Sequence, residues 1–359
     1  MMIEMTEKQY IGLIHWPRLW AGMPPCSLSG TDTPEKFDPA SLRGVVWTGT
    51  IGSVKIPLKV YREGTFLFDL EGWKKGILSP LKFDSQAQSS LEIGDIGNLD
   101  EQRCELLNTY LYCLYSKLTS VQKRGVKKML LIPNNLIIES DGLINVKSDE
   151  FTFHLANSCY EGTYSSNFPK SFDFRVNMHP GNYVSIETLN ATAELFSQIL
   201  DSDKSDELIR LCSLQLRAYV DIEQHQYRYS LSQAFMVTEF IIGELYSEQI
   251  PNGKPRDSIF LKIKKLIRSS QSLPICQLCI TDIETAGENC LSGNLTQTNV
   301  ENGDYCLNRT RQIRNNWIHG HNTIELNEAI EAIRVSEKLI KDRYGIDIFS
   351  NVSQSARVW

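Results

Sequence analysis

The sequence lacks any apolar run long enough to cross a lipid bilayer, which takes about 20 residues. Its longest apolar stretches, 129–138 and 235–242, are interrupted by Pro133 and by Glu239. It also lacks, at its start, the basic segment followed by an apolar one that is typical of a secretory signal. We therefore expect a protein that is not exported and stays in the cytoplasm.

A disulfide framework and an excess of basic charge are absent as well. The 9 cysteines are odd in number and scattered along 359 residues, which is typical of reduced thiols in a cytoplasm. The net charge is −6, so the protein as a whole does not attract nucleic acid. Any binding of nucleic acid must then depend on local basic patches.

The length and the apolar pattern predict two domains of different character. Alternating apolar residues over 54–60, followed by the apolar stretch 65–70, predict strands in the first half of the chain. Beyond about residue 185, apolar residues recur at helical spacing. The expected fold class is α+β, with a β-rich N-terminal domain (1–185) followed by an antiparallel helical bundle (186–359).

The most informative stretch is 307–321, where three arginines occur without an acid in an acidic protein. Arg314 and His319 are five residues apart, roughly 140° around a helix, whereas Asn315 and His319 share a face. His319 falls in the last helical turn, before Gly320. An imidazole near neutrality beside a guanidinium suits acid–base catalysis on a phosphodiester. Alternatively, His319 only caps the helix and the arginines are solvated.

The string Arg314-Asn-Asn-Trp-Ile-His319 resembles the Arg-x4-6-His motif of the HEPN superfamily of helical ribonucleases. In that motif a polar residue follows the arginine, and here this residue is Asn315. A β-rich domain ahead of the bundle is similar to the layout of the ApeA-like proteins of bacterial anti-phage defence. The resemblance covers about residues 190–345.

The resemblance implies an RNA endonuclease that acts in abortive infection and needs neither metal nor other cofactor. In the family, the ribose 2′-OH attacks the adjacent phosphate and leaves a 2′,3′-cyclic phosphate end. The active sites are composite and form where two bundles meet, which implies a homodimer or a higher homo-oligomer. The N-terminal domain would act as a sensor that controls the nuclease, in response to a phage-derived trigger.

Site residues are carried over from the motif position by position. Arg314 and His319 would be the catalytic pair, and Asn315 would support them. Family members often place an acidic residue on an early helix, and Glu239 is the best match in this sequence. Alternatively, Glu239 is an ordinary solvent-facing acid.

Further basic residues are candidates for RNA contacts, because each cation that reaches a phosphate adds salt-dependent affinity. The alternative for each residue is that it lies on a solvated face of the protein and makes no contact with RNA. The candidates are Arg309, Arg311, His321, Lys264 and Lys265.

His321 also marks a departure from the family, since HEPN toxins that are silenced by a nucleotidyltransferase partner carry a tyrosine at that position. Control by the protein's own N-terminal domain is therefore the better expectation.

Four cysteines raise the question of a zinc site. Cys276 and Cys279 form one close pair, but the gaps to Cys290 and Cys306 are long, and Cys306 falls within a predicted helix. Structural zinc usually takes two close-spaced pairs. We therefore expect no metal and ordinary thiols in a helical bundle, and the sequence leaves open whether Cys276 and Cys279 bind zinc.

The competing function is a non-catalytic module. In that interpretation the HEPN-like bundle serves dimerisation or the binding of nucleotide or RNA, and Arg314 and His319 have structural roles. The complete Arg-Asn-x3-His string favours the enzyme. Which RNA is cleaved and what activates the nuclease are not encoded in any recognisable pattern of the sequence.

Overall fold

The structure is a computed structural model. It describes the residues 8–14, 20–21, 45–52, 56–61, 65–69, 97–118, 136–140, 143–147, 183–285, 290, 305–320 and 323–349. Within these residues, no helix combines the length and the apolar character that crossing a membrane takes.

The described residues form eight strands and eight helices, numbered in chain order. The strands are β1 (Lys8–Ile14), β2 (Trp20–Ala21), β3 (Val45–Ile51), β4 (Ile56–Tyr61), β5 (Thr65–Asp69), β6 (Leu136–Ser140), β7 (Leu143–Lys147) and β8 (Tyr183–Val184). The helices are α1 (Gly97–Lys117), α2 (Ile186–Leu200), α3 (Ser205–Glu223), α4 (Tyr227–Gln249), α5 (Ile259–Arg268), α6 (Gln277–Thr281), α7 (Leu307–Ile318) and α8 (Leu326–Tyr344). The chain divides into two compact units between Arg210 and Leu211.

The predicted fold class, α+β with a β-rich N-terminal domain, is wrong. Where the structure describes side chains as well as backbone, 71% of the residues are helical, with one short strand and no sheet. The strand backbones pair in the order β3-β4-β5-β1-β6-β7, but this pairing alone does not establish a β-rich domain. Local alternation predicts an extended backbone but not a shared apolar face that the strands bury. The predicted limits, 1–185 and 186–359, stay a prediction.

In the first unit, the described core is helical and centres on α1. Every described side chain from Leu106 to Ser116 is buried, so this helix has no solvent face there. It packs on α2, where the Tyr110 and Phe196 rings meet edge to face at 5.6 Å. The α2 helix begins at Ser185, whose Oγ accepts a hydrogen bond from the Thr188 N–H.

The second unit is built around α4, which packs against α8, α5 and α7. Apolar residues of α4 and α8 form the centre of this core, among them Leu231, Ile241 and Ile333. One buried amide joins α3 to α8, since Gln215 Nε2 donates to the Ile333 carbonyl at 3.1 Å. A polar side chain in such a core is tolerated because it is hydrogen-bonded.

The helix carrying the Arg314–His319 string ends as the sequence predicts. His319 is its last, capping residue, and Gly320 follows with φ of 76°, in the left-handed region. Glycine takes this conformation without steric strain, so it ends the helix cleanly. The next helix, α8, begins with a capping box made by Glu325 and Glu328.

One acid near the end of α3 makes stability depend on pH. Burial raises the pKa of the Asp221 carboxyl to about 6, although Arg217 acts in the opposite direction. The folded protein therefore binds this proton more readily than the unfolded chain does, and this group favours unfolding increasingly as the pH rises through about 6. Its negative charge also faces the negative end of the helix dipole.

We predict that Asp221→Asn stabilises the protein near pH 7 and has no effect near pH 4, because the neutral amide resembles the protonated acid. Thermal unfolding followed by circular dichroism across this pH range measures the difference. The control is Asp203→Asn, which removes one negative charge from an exposed position. An equal response of the two variants to pH would contradict the assignment to Asp221.

Candidate functional site

Helix α7 carries the candidate catalytic residues in its second half. It begins after Cys306, and the Leu307 N–H donates to the Pro274 carbonyl at 2.8 Å. Leu307 and Ile313 are buried and anchor the helix on the core of its unit. The last turns, which contain Arg314 and His319, are more exposed.

Arg314 is held on three sides and still partly reaches solvent. Its guanidinium lies 3.8 Å from Glu239 Oε1, 3.3 Å from Asn315 Oδ1 and 5.3 Å from the centre of the Phe235 ring. Phe235 and Glu239 are four residues apart on α4 and so present their side chains together. The side chain of Arg314 is 32% exposed. The structure thus brings together three of the four residues that the motif resemblance singles out.

The ion pair between Arg314 and Glu239 orients the arginine more than it stabilises the fold. Its 3.8 Å separation is long, and the Glu239 side chain is 41% exposed. Exposed pairs of this kind contribute only about 0–1 kcal/mol. The pair and the Phe235 ring together restrict where the guanidinium can point, while one side stays accessible to an anion.

His319 lies at the exposed C-terminal end of the same helix. Its backbone N–H donates to the Asn315 carbonyl at 3.1 Å. It is five positions after Arg314, so the two side chains leave the helix axis roughly 140° apart. One copy of this helix therefore does not direct both groups at a single phosphate.

Arg309 and Arg311 are buried, each at 7% exposure, and their predicted role as surface contacts to RNA does not fit this placement. Arg309 Nε donates to both carboxylate oxygens of Glu331, at 2.8 and 3.0 Å. Arg311 Nε donates to Asn308 Oδ1 at 2.9 Å, and its guanidinium lies 4.5 Å from the Phe260 ring centre. Burial lowers the pKa of the Arg311 guanidinium.

The remaining candidates for RNA contacts are engaged elsewhere or lie outside the described residues. Lys264 forms an ion pair with Glu284. Lys265 Nζ lies 2.7 Å from Asp257 Oδ2 and donates to the Tyr246 hydroxyl. His321 lies outside the described residues. The predicted contacts of these three residues with RNA stay predictions.

Sequence reasoning missed two residues that position the site, Phe235 and Glu331. Glu331 is fully buried, and its Oε1 also accepts the Cys306 N–H at 2.7 Å. A signal for it exists in the sequence, since this acid interrupts the apolar stretch 329–333 of α8. No local signal marks Phe235, because aromatic residues on a buried helix are ordinarily core residues.

The four cysteines that the sequence analysis considered come together in space. The Sγ atoms of Cys276, Cys279, Cys290 and Cys306 all lie within 4.8 Å of one another. Cys306 is the N-terminal capping residue of α7 and not part of the helix, which corrects one argument against a metal site. Sequence spacing alone did not reveal this convergence, because the long connections between the cysteines do not fix the distances between their Sγ atoms.

The chain matches no protein-family model, no curated protein and no solved structure. The likeness to HEPN ribonucleases therefore rests on the Arg314–His319 string itself.

Glu331 generates a prediction about stability. Glu331→Ala should lower the free energy of unfolding by about 3–5 kcal/mol, because it leaves Arg309 buried without its carboxylate. The control is Asp342→Ala, which removes the exposed pair between Lys338 and Asp342 and should cost less than about 1 kcal/mol. Chemical denaturation of both variants measures the two values. Equal losses would show that Arg309 does not depend on Glu331.

Proposed function

We propose that this protein is an RNA endonuclease of bacterial anti-phage defence, with Arg314 and His319 as its catalytic pair. The observation that carries the proposal is the contrast among the arginines of α7. Arg309 and Arg311 are buried in structural contacts, whereas Arg314 is oriented by α4 and remains accessible near the exposed His319. An arginine that is held but still accessible suits the binding of a phosphate.

The proposed reaction is an in-line attack of the ribose 2′-OH on the adjacent phosphorus. A base accepts the 2′-OH proton while the new P–O bond forms, and the bond to the 5′-oxygen breaks. His319 protonates this leaving oxygen, and the products are a 2′,3′-cyclic phosphate and a free 5′-hydroxyl. Arg314 stabilises the negative charge that develops on the phosphorane oxygens. These steps need no divalent ion.

Glu239 and Asn315 act as positioning residues in this proposal. Asn315 Oδ1 accepts a hydrogen bond from Arg314 Nη1 at 3.3 Å, and Glu239 lies on the other helix at 3.8 Å. Both contacts are weak enough to be exchanged for phosphate oxygens when RNA binds. They keep the guanidinium oriented before the substrate arrives, which lowers the entropy lost in the reaction.

Two copies of the chain supply the complete site. Because Arg314 and His319 point roughly 140° apart, an arginine and a histidine converge when two α7 helices meet across a two-fold axis. Exposed apolar residues lie on the corresponding faces. Ile318, 49% exposed, is four residues after Arg314, and Met236, 52% exposed, is three residues before Glu239. Their burial against a second copy would stabilise the dimer.

Regulation by the region ahead of α2 completes the proposal. In this proposal the nuclease stays inactive until a phage-derived trigger engages this region, so that RNA cleavage aborts the infection. The absence of a modifiable tyrosine two residues after His319 also favours control within the chain, since that position is His321.

His319→Asn should lower the rate of RNA cleavage by about 10²–10⁴-fold, because an amide cannot exchange a proton near neutral pH. The thermal unfolding temperature and the affinity for RNA should stay nearly unchanged. His225→Asn, the same exchange at another exposed histidine, is the control and should retain full activity. The assay uses end-labelled RNA without added divalent ions, next to RNA with a 2′-deoxy scissile residue.

Full cleavage by the His319→Asn protein would show that the nuclease assignment to this site is wrong. Binding of RNA by the parent protein without cleavage of any RNA would instead support the non-catalytic module.

A separate prediction concerns the dimer. Met236→Lys and Ile318→Lys should each weaken association by roughly tenfold or more, because each places like charges against one another at a two-fold interface. Cleavage should fall in parallel with the dimer fraction measured by sedimentation. Leu261→Lys, at a residue 36% exposed on α5, is the control. A parent protein that is monomeric and fully active would contradict the composite site.

A further inference from the structure

The four cysteines beside the start of α7 form a compact sulfur cluster. The Sγ atom of Cys290 lies 3.2 Å from those of Cys276 and Cys279, and the Sγ atoms of Cys279 and Cys306 are 3.7 Å apart. All pairs lie within 4.8 Å. A disulfide needs sulfurs at about 2.05 Å, so none of these pairs is bonded.

These separations match the tetrahedron that a single ion imposes on four thiolates. With a zinc–sulfur bond of about 2.3 Å, the sulfurs of a tetrahedral site lie about 3.8 Å apart. A cluster with several irons spreads its thiolates over different metal atoms and needs a wider cage. The ligand set contains only sulfur, which favours Zn²⁺ over Mg²⁺ or Ca²⁺.

The chain approaches this point from three separate segments. Cys276 caps the start of α6 and Cys279 lies one turn into it, which is the close pair that wraps a metal from one side. Cys306 caps the start of α7, and Cys290 comes from the connection between these two helices. Three of the four cysteines are buried, and Cys276 is partly exposed.

The surroundings of the sulfurs carry the groups that support thiolate ligands. Asn308 Nδ2 donates to Cys279 Sγ at 3.4 Å, and the Cys276 backbone N–H donates to Cys306 Sγ at 3.5 Å. Asn308 Oδ1 in turn accepts from Arg311 Nε at 2.9 Å. Four thiolates around one Zn²⁺ carry a net charge of −2, and the buried cation of Arg311 offsets part of it. Such outer-shell hydrogen bonds commonly orient metal ligands.

We propose that Cys276, Cys279, Cys290 and Cys306 bind one structural Zn²⁺ ion. Four protein ligands leave no open coordination position for water or substrate, so the ion holds the fold together and takes no part in cleavage. It ties α6 and Cys290 to Cys306, the residue that caps the start of α7. The proposal is independent of the RNA-cleaving function, and its test uses no nuclease activity.

The first test is the metal content of the full-length protein, purified without chelators. Elemental analysis should find about one zinc ion per chain. Replacement by Co²⁺ should give the intense visible bands of tetrahedral cobalt with thiolate ligands. Iron in place of zinc, a disulfide between any two of the four cysteines, or less than about a tenth of an equivalent of zinc would overturn the proposal.

The second test compares cysteine variants. Cys290→Ser should lower the zinc content at least about tenfold and lower the unfolding temperature, because a hydroxyl is a poor zinc ligand. Cys276→His should keep the ion, since three cysteines and one histidine are a common zinc set. Cys212→Ala, at a buried cysteine outside the cluster, is the control and should also keep it.

Undiminished zinc in the Cys290→Ser protein would overturn the ligand assignment. If this variant fails to fold, the zinc content and the cobalt spectrum of the parent and of the Cys276→His protein decide whether the proposal holds. Because every readout is a metal content, a spectrum or an unfolding temperature, a protein with zinc and no nuclease activity would refute only the proposed function.

Discussion

The buried carboxylate of Glu331 is the constraint on which the arrangement of α7 depends. A charge at this depth is stable only when it is paired, and Arg309 and the Cys306 N–H provide the partners. This contact fixes the rotation of α7 about its own axis. With Arg309 directed at α8, Arg311 lies roughly 200° further around and Arg314 roughly 500°, equivalent to 140°. Arg311 then meets Phe260 of α5, and Arg314 meets Phe235 of α4.

The same geometry separates α7 into two ends with different chemistry. Its start joins the sulfur cluster through Cys306, Asn308 and Arg311, and its second half carries the arginine and histidine proposed for catalysis. The helix spans 12 residues, about 18 Å, so the two sites are too far apart to share a ligand. The two sites are nevertheless mechanically linked, since a displacement of the start of α7 also rotates or translates its C-terminal end.

Sequence periodicity was sufficient for the helices of the second unit and for the end of α7 at Gly320, because apolar spacing and glycine conformation are local properties. It failed where the outcome depends on a distant partner. Arg309 and Arg311 look like surface cations until Glu331, Asn308 and Phe260 are seen around them. The strand patterns were equally local and did not reveal that the buried stretch of α1 belongs to the core that is described for its unit. Glu239 was placed beside Arg314 only through the family resemblance.

The burial of α1 also affects the order in which the protein can fold during synthesis. Its partner α2 begins about seventy residues further along the chain, so α1 leaves the ribosome well before the surface that covers it. Closing a loop of that length costs about 4 kcal/mol of chain entropy before the Tyr110–Phe196 contact can form. Until then α1 lacks the contacts that it makes with α2 in the folded protein. The helical core described for the first unit is therefore complete only after α2 has been synthesised.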